Sequence, residues 1–253
     1  MIRLGTAGWT LPKTSAAAFP AGASHLARYA QRFSAAEINS SFHRPHRRTT
    51  YERWAATVPE TFAFAVKLPK EITHTLRLAG TEAALDAFAE QIGGLGGRLG
   101  ALLVQLPPSF AFDADIAGAF FTTFRARFAG PAVCEPRHDS WLGAEADAML
   151  RRFKVARVAA HPAIGMSKVE GGGDPQAGGW PGLFYMRLHG APRPYYSAYG
   201  DEALADYARR LREAAAGGAA TWCILDNTAL GYAAANALTL QRLLAGSPGD
   251  AAT

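Results

Sequence analysis

The stretch A-V-C-E-P-R-H-D-S-W at residues 132–141 begins as an apolar strand and ends in a run of ionisable groups. In extended backbone, side chains alternate between faces, so Val133, Glu135 and Arg137 share one face while Cys134 and Pro136 take the other. Two opposite charges therefore stand in phase with a core valine, where each needs a partner, hydration or a ligand. A surface strand would carry the same letters harmlessly, but recurrence argues against it. A-E-I-N puts Glu37 in phase with Asn39. F-A-F-A-V-K puts Lys67 in phase with Ala63 and Ala65, and L-L-V-Q ends in Gln105. F-Y-M-R-L-H-G aligns Arg187 and His189 with Tyr185, and C-I-L-D-N puts Asp226 in phase with Ile224. Each polar group closes its run, which predicts a ring of polar strand ends.

Reading outward, strands are predicted at 2–6, 36–39, 62–68, 101–106, from 132, at 154–160, 183–189 and 221–225. Most are separated by amphipathic helices. Ser24 caps a helix with Leu26, Tyr29, Ala30 and Phe33 inward; Asp113 caps 113–128, and Asp201 caps a helix with Leu204, Tyr207, Ala208 and Leu211 inward. P-K-E-I-T-H-T-L-R, after the third strand, reads as a loop too polar to be core. Residues 162–182, rich in Gly and Pro, read as a covering loop or a disordered excursion. Eight strands fit a closed barrel or an open doubly wound sheet. The barrel brings every strand end to one mouth, whereas the open sheet gathers ligands at one crossing point. The expectation is thus α/β: a TIM-type (β/α)8 barrel forming one domain over 1–246, with an irregular connection after the sixth strand and a flexible tail at 247–253.

At 253 residues and 49% hydrophobic content, the chain can build one large core. A net charge of +5 and a pI near 9.4 lean towards anionic partners without naming one. Cys134 and Cys223 fall inside predicted buried strands, as reduced core thiols do, so a reducing, cytoplasmic setting is expected. M-I-R-L-G-T enters a strand directly, without a signal-peptide pattern, and no apolar run reaches the eighteen residues of a membrane span. No G-x-G-x-x-G joins a strand to a helix, and H-E-x-x-H and close Cys pairs are absent, so no cofactor or metal is expected. Glu37, Glu135, His189 and Asp226 would make an N/O metal set, but Lys67, Arg137 and Arg187 compete for the same carboxylates.

Glu37, Glu135 and His189 are the catalytic candidates. Two carboxylates can divide acid and base work, as in glycoside hydrolysis, and imidazole titrates near neutrality. The structural alternative pairs Glu135 with Arg137 or Arg187 and fixes Glu37 by Lys67 or Asn39. Lys67, Arg137, Arg187 and His189 suit a phosphate, sugar phosphate or small carboxylate, which makes a small anionic molecule the expected partner and a hydrolase acting on a phosphate-containing or carbohydrate-related small molecule the expected function. Asn39, Gln105, Asp226 and Asn227 extend the ligand set. Of the aromatics after strand ends (Trp9, Phe42, Trp141, Tyr195, Tyr196, Tyr199), Trp9, Trp141 and Tyr195 are the ligand candidates, with packing as the alternative for the tryptophans. A non-enzymatic reading places nucleic acid on R-P-H-R-R at 44–48 with Lys67, Lys70 and Arg77. No helix-turn-helix or zinc-finger spacing accompanies it, and a solvated basic loop carries the same letters. Oligomeric state is not encoded in any of these patterns.

Seven segments together resemble the YecE-like family, domain of unknown function number 72. They are G-T-A-G-W from Gly5, E-I-N-S-S-F from Glu37, F-A-F-A-V-K from Phe62, Q-L-P-P from Gln105, E-P-R-H-D-S-W from Glu135, R-L-H-G from Arg187, and the pieces at Asp226, Asn227, Asn236 and Ala237. They run in order along nearly the whole chain. The resemblance implies a TIM-type barrel with a polar pocket at its C-terminal mouth and brings no reaction or cofactor with it. Pro136 stands where relatives usually carry Phe. Asp226 stands where an aromatic or Asn is common.

Overall fold

The computed structural model describes residues 1–165 and 177–246. The flexible tail expected at 247–253, and most of the Gly-rich stretch, lie outside the described residues. Ten strands are described: β1 (Ile2–Thr6), β2 (Ala35–Ile38), β3 (Ala63–Lys67), β4 (Leu99–Gln105), β5 (Ala132–Glu135), β6 (Val155–Arg157), β7 (Ala159–His161), β8 (Gly178–Gly179), β9 (Leu183–Leu188) and β10 (Ala220–Leu225). The helices are α1 (His25–Tyr29), α2 (Ser40–His43), α3 (Arg48–Thr57), α4 (Glu82–Ile92), α5 (Ala114–Arg127), α6 (Ala144–Arg152), α7 (Asp201–Ala216) and α8 (Tyr232–Ala245).

The strands form a four-stranded sheet, β1-β10-β9-β7, and a six-stranded sheet, β2-β3-β4-β5-β6-β8. Pairing is parallel except between β6 and β8, so the fold is α/β with mixed sheets. Two junctions bring the sheets together. Ala7 bridges Glu37 in parallel, with the Gly8 amide donating to the Glu37 carbonyl at 2.8 Å. At the other junction the predicted sixth strand divides: β6 pairs with β5 and β7 with β9, and between them the Val158 amide donates to the Cys134 carbonyl at 2.9 Å.

Strand alternation sorts the side chains into two buried clusters. Ala35, Ala63, Ala65, Ala101, Leu103, Val133, Ala156, Val158, Leu183, Tyr185, Trp222 and Ile224 form the smaller one, on the faces that also carry the polar ends. Leu4, Ala36, Ile38, Phe64, Val66, Leu102, Val104, Cys134, Met186 and Cys223 point the other way, into the larger cluster with the helices. There the stripes of Leu85, Phe88 and Ile92 on α4, of Phe120, Phe121 and Phe124 on α5, and of Leu204, Tyr207 and Leu211 on α7 are buried. Both cysteines are free, and burial pushes their thiols up.

Caps hold where an oxygen reaches a free amide. Ser24 accepts from the Ala27 amide, and Asp113 from the Ile116 amide. Asp201 is instead the first helical residue, with Gly200 at the cap. Residues 69–77 are corrected from a polar loop. Glu71–Thr75 make a π-helical turn that buries Ile72 and Thr73, and Leu78 follows them inward. Two methyl-bearing groups on the turn and a leucine just after it outweigh the polar letters between them. The S-S-F-H exit of β2 also folds, as α2. Among the described residues no helix is long and apolar enough to cross a membrane.

Candidate functional site

Glu37 near the end of β2, Glu135 at the end of β5 and Asp226 just after β10 converge on the guanidinium of Arg187 on β9. Arg187 Nε and Nη2 donate to the two oxygens of Glu37, at 3.1 and 2.7 Å. Nη1 donates to Glu135 Oε2 at 2.5 Å, and Nη2 also reaches Asp226 Oδ2 at 3.0 Å. The planar fork of Arg allows this bidentate grip on Glu37 while the third nitrogen turns to another acid. Tyr185, two residues earlier on the same face, donates to Glu37 Oε2 at 2.9 Å. Glu37 is therefore held by Arg187 and Tyr185, not by Lys67 or Asn39 as expected from sequence. Arg187 and Glu135 are each 1% exposed, and Glu37 is sealed.

His189 lies beside the same acids. Its Nδ1 is 3.1 Å from Asp226 Oδ2, and Nε2 is 3.4 Å from Glu135 Oε1, an ion-pair distance without an aligned hydrogen bond. Burial pulls its pKa down, but Glu135 and Asp226 outweigh burial and raise it. Burial likewise pushes Glu135 up, and Arg187, His189 and Arg137 overcome it, holding the carboxyl well below the usual range. Asp226 is lowered in the same way, against burial, by Arg187 and His189. Glu135 and Asp226 are thus ionised and matched by hydrogen-bond donors, as buried carboxylates must be.

Arg137 and Lys67 stand nearer solvent. Arg137 Nε and Nη2 share Glu135 Oε1 at 3.2 and 3.1 Å, and Nη2 also donates to the Tyr195 hydroxyl at 3.0 Å. Lys67 Nζ lies 4.0 Å from the centre of the Phe42 ring. Among the described residues no carboxylate approaches Lys67 Nζ within 4.0 Å, because the nearby acids are turned to Arg187, Arg137 and His189. Burial first, and then Arg187, lower its pKa to about 8, with Glu135 and Glu37 opposing. His74, edge-on to the same Phe42 ring, is lowered to about 4 by burial and by the charges of Lys67, Arg137 and Lys70.

The remaining predicted residues divide. Trp9 and Asn39 line a cleft of about 370 Å³ with Gly8, His25, Glu37 and Thr228, and Asn39 Oδ1 is buried without a hydrogen-bond partner. Trp9 also packs edge-on against Trp54 and Phe64. Gln105 is buried and donates to the Leu106 carbonyl. Asn227 donates to Ser197 O and Asn236 Oδ1, tying the loop after β10 to α8. Trp141 is not among the residues brought together. It is fully buried, packs on Phe110 and Phe112, and donates to the Phe110 carbonyl, which is the packing alternative of the sequence reading. Tyr199 is buried on His161 and the Gly190 amide. Of the basic loop at 44–48, Arg48 is engaged with Glu52 and the Glu90 carbonyl, and His46 with Ser40.

Tyr185 and His74 were not singled out by sequence. The parity of Tyr185 with Arg187 was the signal for the first. Nothing in a nine-residue polar run marked the second. Among the described residues no group of three or more His, Cys, Asp or Glu is arranged to hold a metal ion.

A family model described as "Protein of unknown function DUF72" matches residues 3–252. A curated relative, the UPF0759 protein YecE of Escherichia coli K12, is 27% identical over 110 residues; these are 44% of this chain and 39% of that protein's length. A crystal structure of a DUF72 family protein from Enterococcus faecalis V583 superposes with a TM-score of 0.80 at 22% identity, covering 98% of this chain and 96% of that one. One from Thermotoga maritima MSB8 gives 0.79 at 23% identity, covering 97% and 100%.

Proposed function

We propose a function from the premise that the chain belongs to the DUF72 family: residues 1–246 make one (β/α)8 barrel, and its mouth binds the anionic group of a small phosphate- or carboxylate-bearing molecule. Two features support the barrel. The sheets meet at Ala7–Glu37 and at the handover from β6 to β7, so that following pairings from β1 through β10, β9, β7, β6, β5, β4, β3 and β2 returns to β1. The small cluster of alternate side chains then fills the interior, as in barrels of this kind. The antiparallel pairing of β8 with β6 supports an irregular connection after the sixth strand.

The observation that carries the ligand class is the uncompensated ammonium of Lys67. Glu37, Glu135 and Asp226 each lie within ion-pair distance of Arg187, Arg137 or His189, and none of them pairs with Lys67. Its ammonium sits on the solvent side, where Lys67, Arg137 and the Tyr195 hydroxyl can meet an anion together. Glu37, Glu135 and Asp226 act in this reading as positioning residues. Glu135 holds no proton to give at neutral pH, which weighs against its use as the acid of a hydrolase.

Calorimetric titration with inorganic phosphate and with glycolate at pH 7 tests the reading. Lys67→Met and Arg137→Met are each expected to weaken binding at least about tenfold, the scale of one charge-assisted contact. Binding unchanged in both variants would overturn it. So would salt-sensitive oligonucleotide binding that is lost in Arg44→Ala with Arg47→Ala and kept in Lys67→Met; that result would move function to the basic loop.

A further inference from the structure

We infer that Lys67 is a nucleophile towards carbonyl carbon, so that the anionic substrate carries an aldehyde or ketone which condenses with Nζ. The inference rests on the anion reading above and narrows its substrate class. Lys67 closes β3 with Ala63 and Ala65 buried behind it on the same face, and its ammonium lies over the Phe42 ring with partial access to solvent. A carboxylate paired with this ammonium would hold its proton on and raise its pKa. Here three carboxylates stand in the same site, and each is turned to another cation. Arg187 and Arg137 add positive charge around Lys67, as Arg137 and Lys70 do around His74. Desolvation on an apolar face beside other cations is how proteins free an amine from its proton. With the value near 8, about one lysine in ten is neutral at pH 7.

The step balances without a redox partner. The Nζ lone pair adds to the carbonyl carbon as the C=O π pair moves to oxygen, and one proton passes from nitrogen to that oxygen to give a neutral carbinolamine. The hydroxyl takes a second proton from solvent and leaves as water while the nitrogen lone pair forms the C=N bond and the last proton on nitrogen returns to solvent. Arg137 and the Tyr195 hydroxyl, 3.0 Å apart, are placed to hold the anionic group of the same molecule. The imine nitrogen, once protonated, restores the charge that Lys67 carried.

Glyoxylate, an aldehyde with a carboxylate, is the probe. The full chain is incubated with it at pH 7.5, reduced with borohydride and mapped by peptide mass spectrometry. The adduct is expected at Lys67 at least about tenfold above Lys13, Lys70, Lys154 and Lys168, to be suppressed by excess inorganic phosphate, and to be missing from Lys67→Arg. Circular dichroism and thermal unfolding of that variant, matched to the parent's, show that a missing adduct reads the absent amine and not a lost fold. Adducts spread over the other lysines, with Lys67 unmodified in a chain that binds phosphate, overturn the covalent inference and leave anion binding standing. Selective reaction at Lys67 in a chain that binds no phosphate upholds the nucleophile and overturns the anion site.

Discussion

Arg187 makes four hydrogen bonds to three carboxylates from a fully buried position. Lysine could not repeat this, because one ammonium cannot grip Glu37 with two parallel bonds and still reach Glu135 and Asp226. Arg187→Lys would leave at least one buried acid without its donor, and breaking a buried pair from one side costs about 3–5 kcal/mol. Urea unfolding of the purified variant at pH 7 checks this. A loss under about 1 kcal/mol would mean that water or a rearranged Arg137 takes over the contacts. The same guanidinium explains how much of the site the residues themselves disclosed. Alternation put Glu37, Glu135, Arg187 and Asp226 on inward faces, because parity survives any strand twist. Which acid meets which cation depends on spacing between distant strands. Sequence therefore left Glu37 assigned to Lys67 or Asn39, when Tyr185 and Arg187 hold it.

Between elements, β1 and β2 approach closely where Gly5 faces Ala35. A Cβ on Gly5 would lie 1.9 Å from the Ala35 carbonyl oxygen and 3.0 Å from the Tyr29 hydroxyl. The obstacle is backbone with a fully buried tyrosine beside it, so the strands themselves must part. Gly5→Ala is expected to lose about 1–3 kcal/mol, the cost of overpacking a filled interior. Gly130→Ala, whose added methyl meets nothing within 4 Å, should stay within about 0.5 kcal/mol. Thermal unfolding of the two variants side by side decides it, and equal midpoints would refute the close approach. Elements were legible in the sequence where one period ran long enough to dominate. The stripes on α4, α5 and α7 and the strand runs did so, and the caps at Ser24 and Asp113 followed from their oxygens. α2 and the π-helical turn at Glu71–Thr75 were not legible, because neither shows a full amphipathic period before it ends. For Trp141 the sequence left ligand contact and packing both open, and the rings of Phe110 and Phe112 against it decide for packing.

Across the whole molecule, the clustered charges tie stability to pH with different signs at each end. Glu135 and Asp226 are held below their ordinary values of 4.5 and 3.8, so what they contribute is present above those values and drains away as pH falls through the lower, folded ones. His189 is raised above 6.5; its contribution is complete below that value and is lost as pH climbs through the folded one. Lys67 runs opposite to His189. With a folded value of about 8 against 10.5, the unfolded chain binds the extra proton between them, so stability attributable to this residue rises as pH goes from 8 to 10.5. A shift of that size corresponds to about 3 kcal/mol across the window. Lys67→Met removes the proton from both states and therefore removes the rise. Subtracting the variant's unfolding free energy from the parent's, pH by pH, isolates this group from His189 and from every tyrosine that titrates nearby. The difference is expected to be flat from pH 5 to 7 and to climb in the parent's favour above 8. A difference that stays level through pH 10 would place the Lys67 amine in water at its ordinary value, and would remove the desolvation on which its nucleophilic role depends.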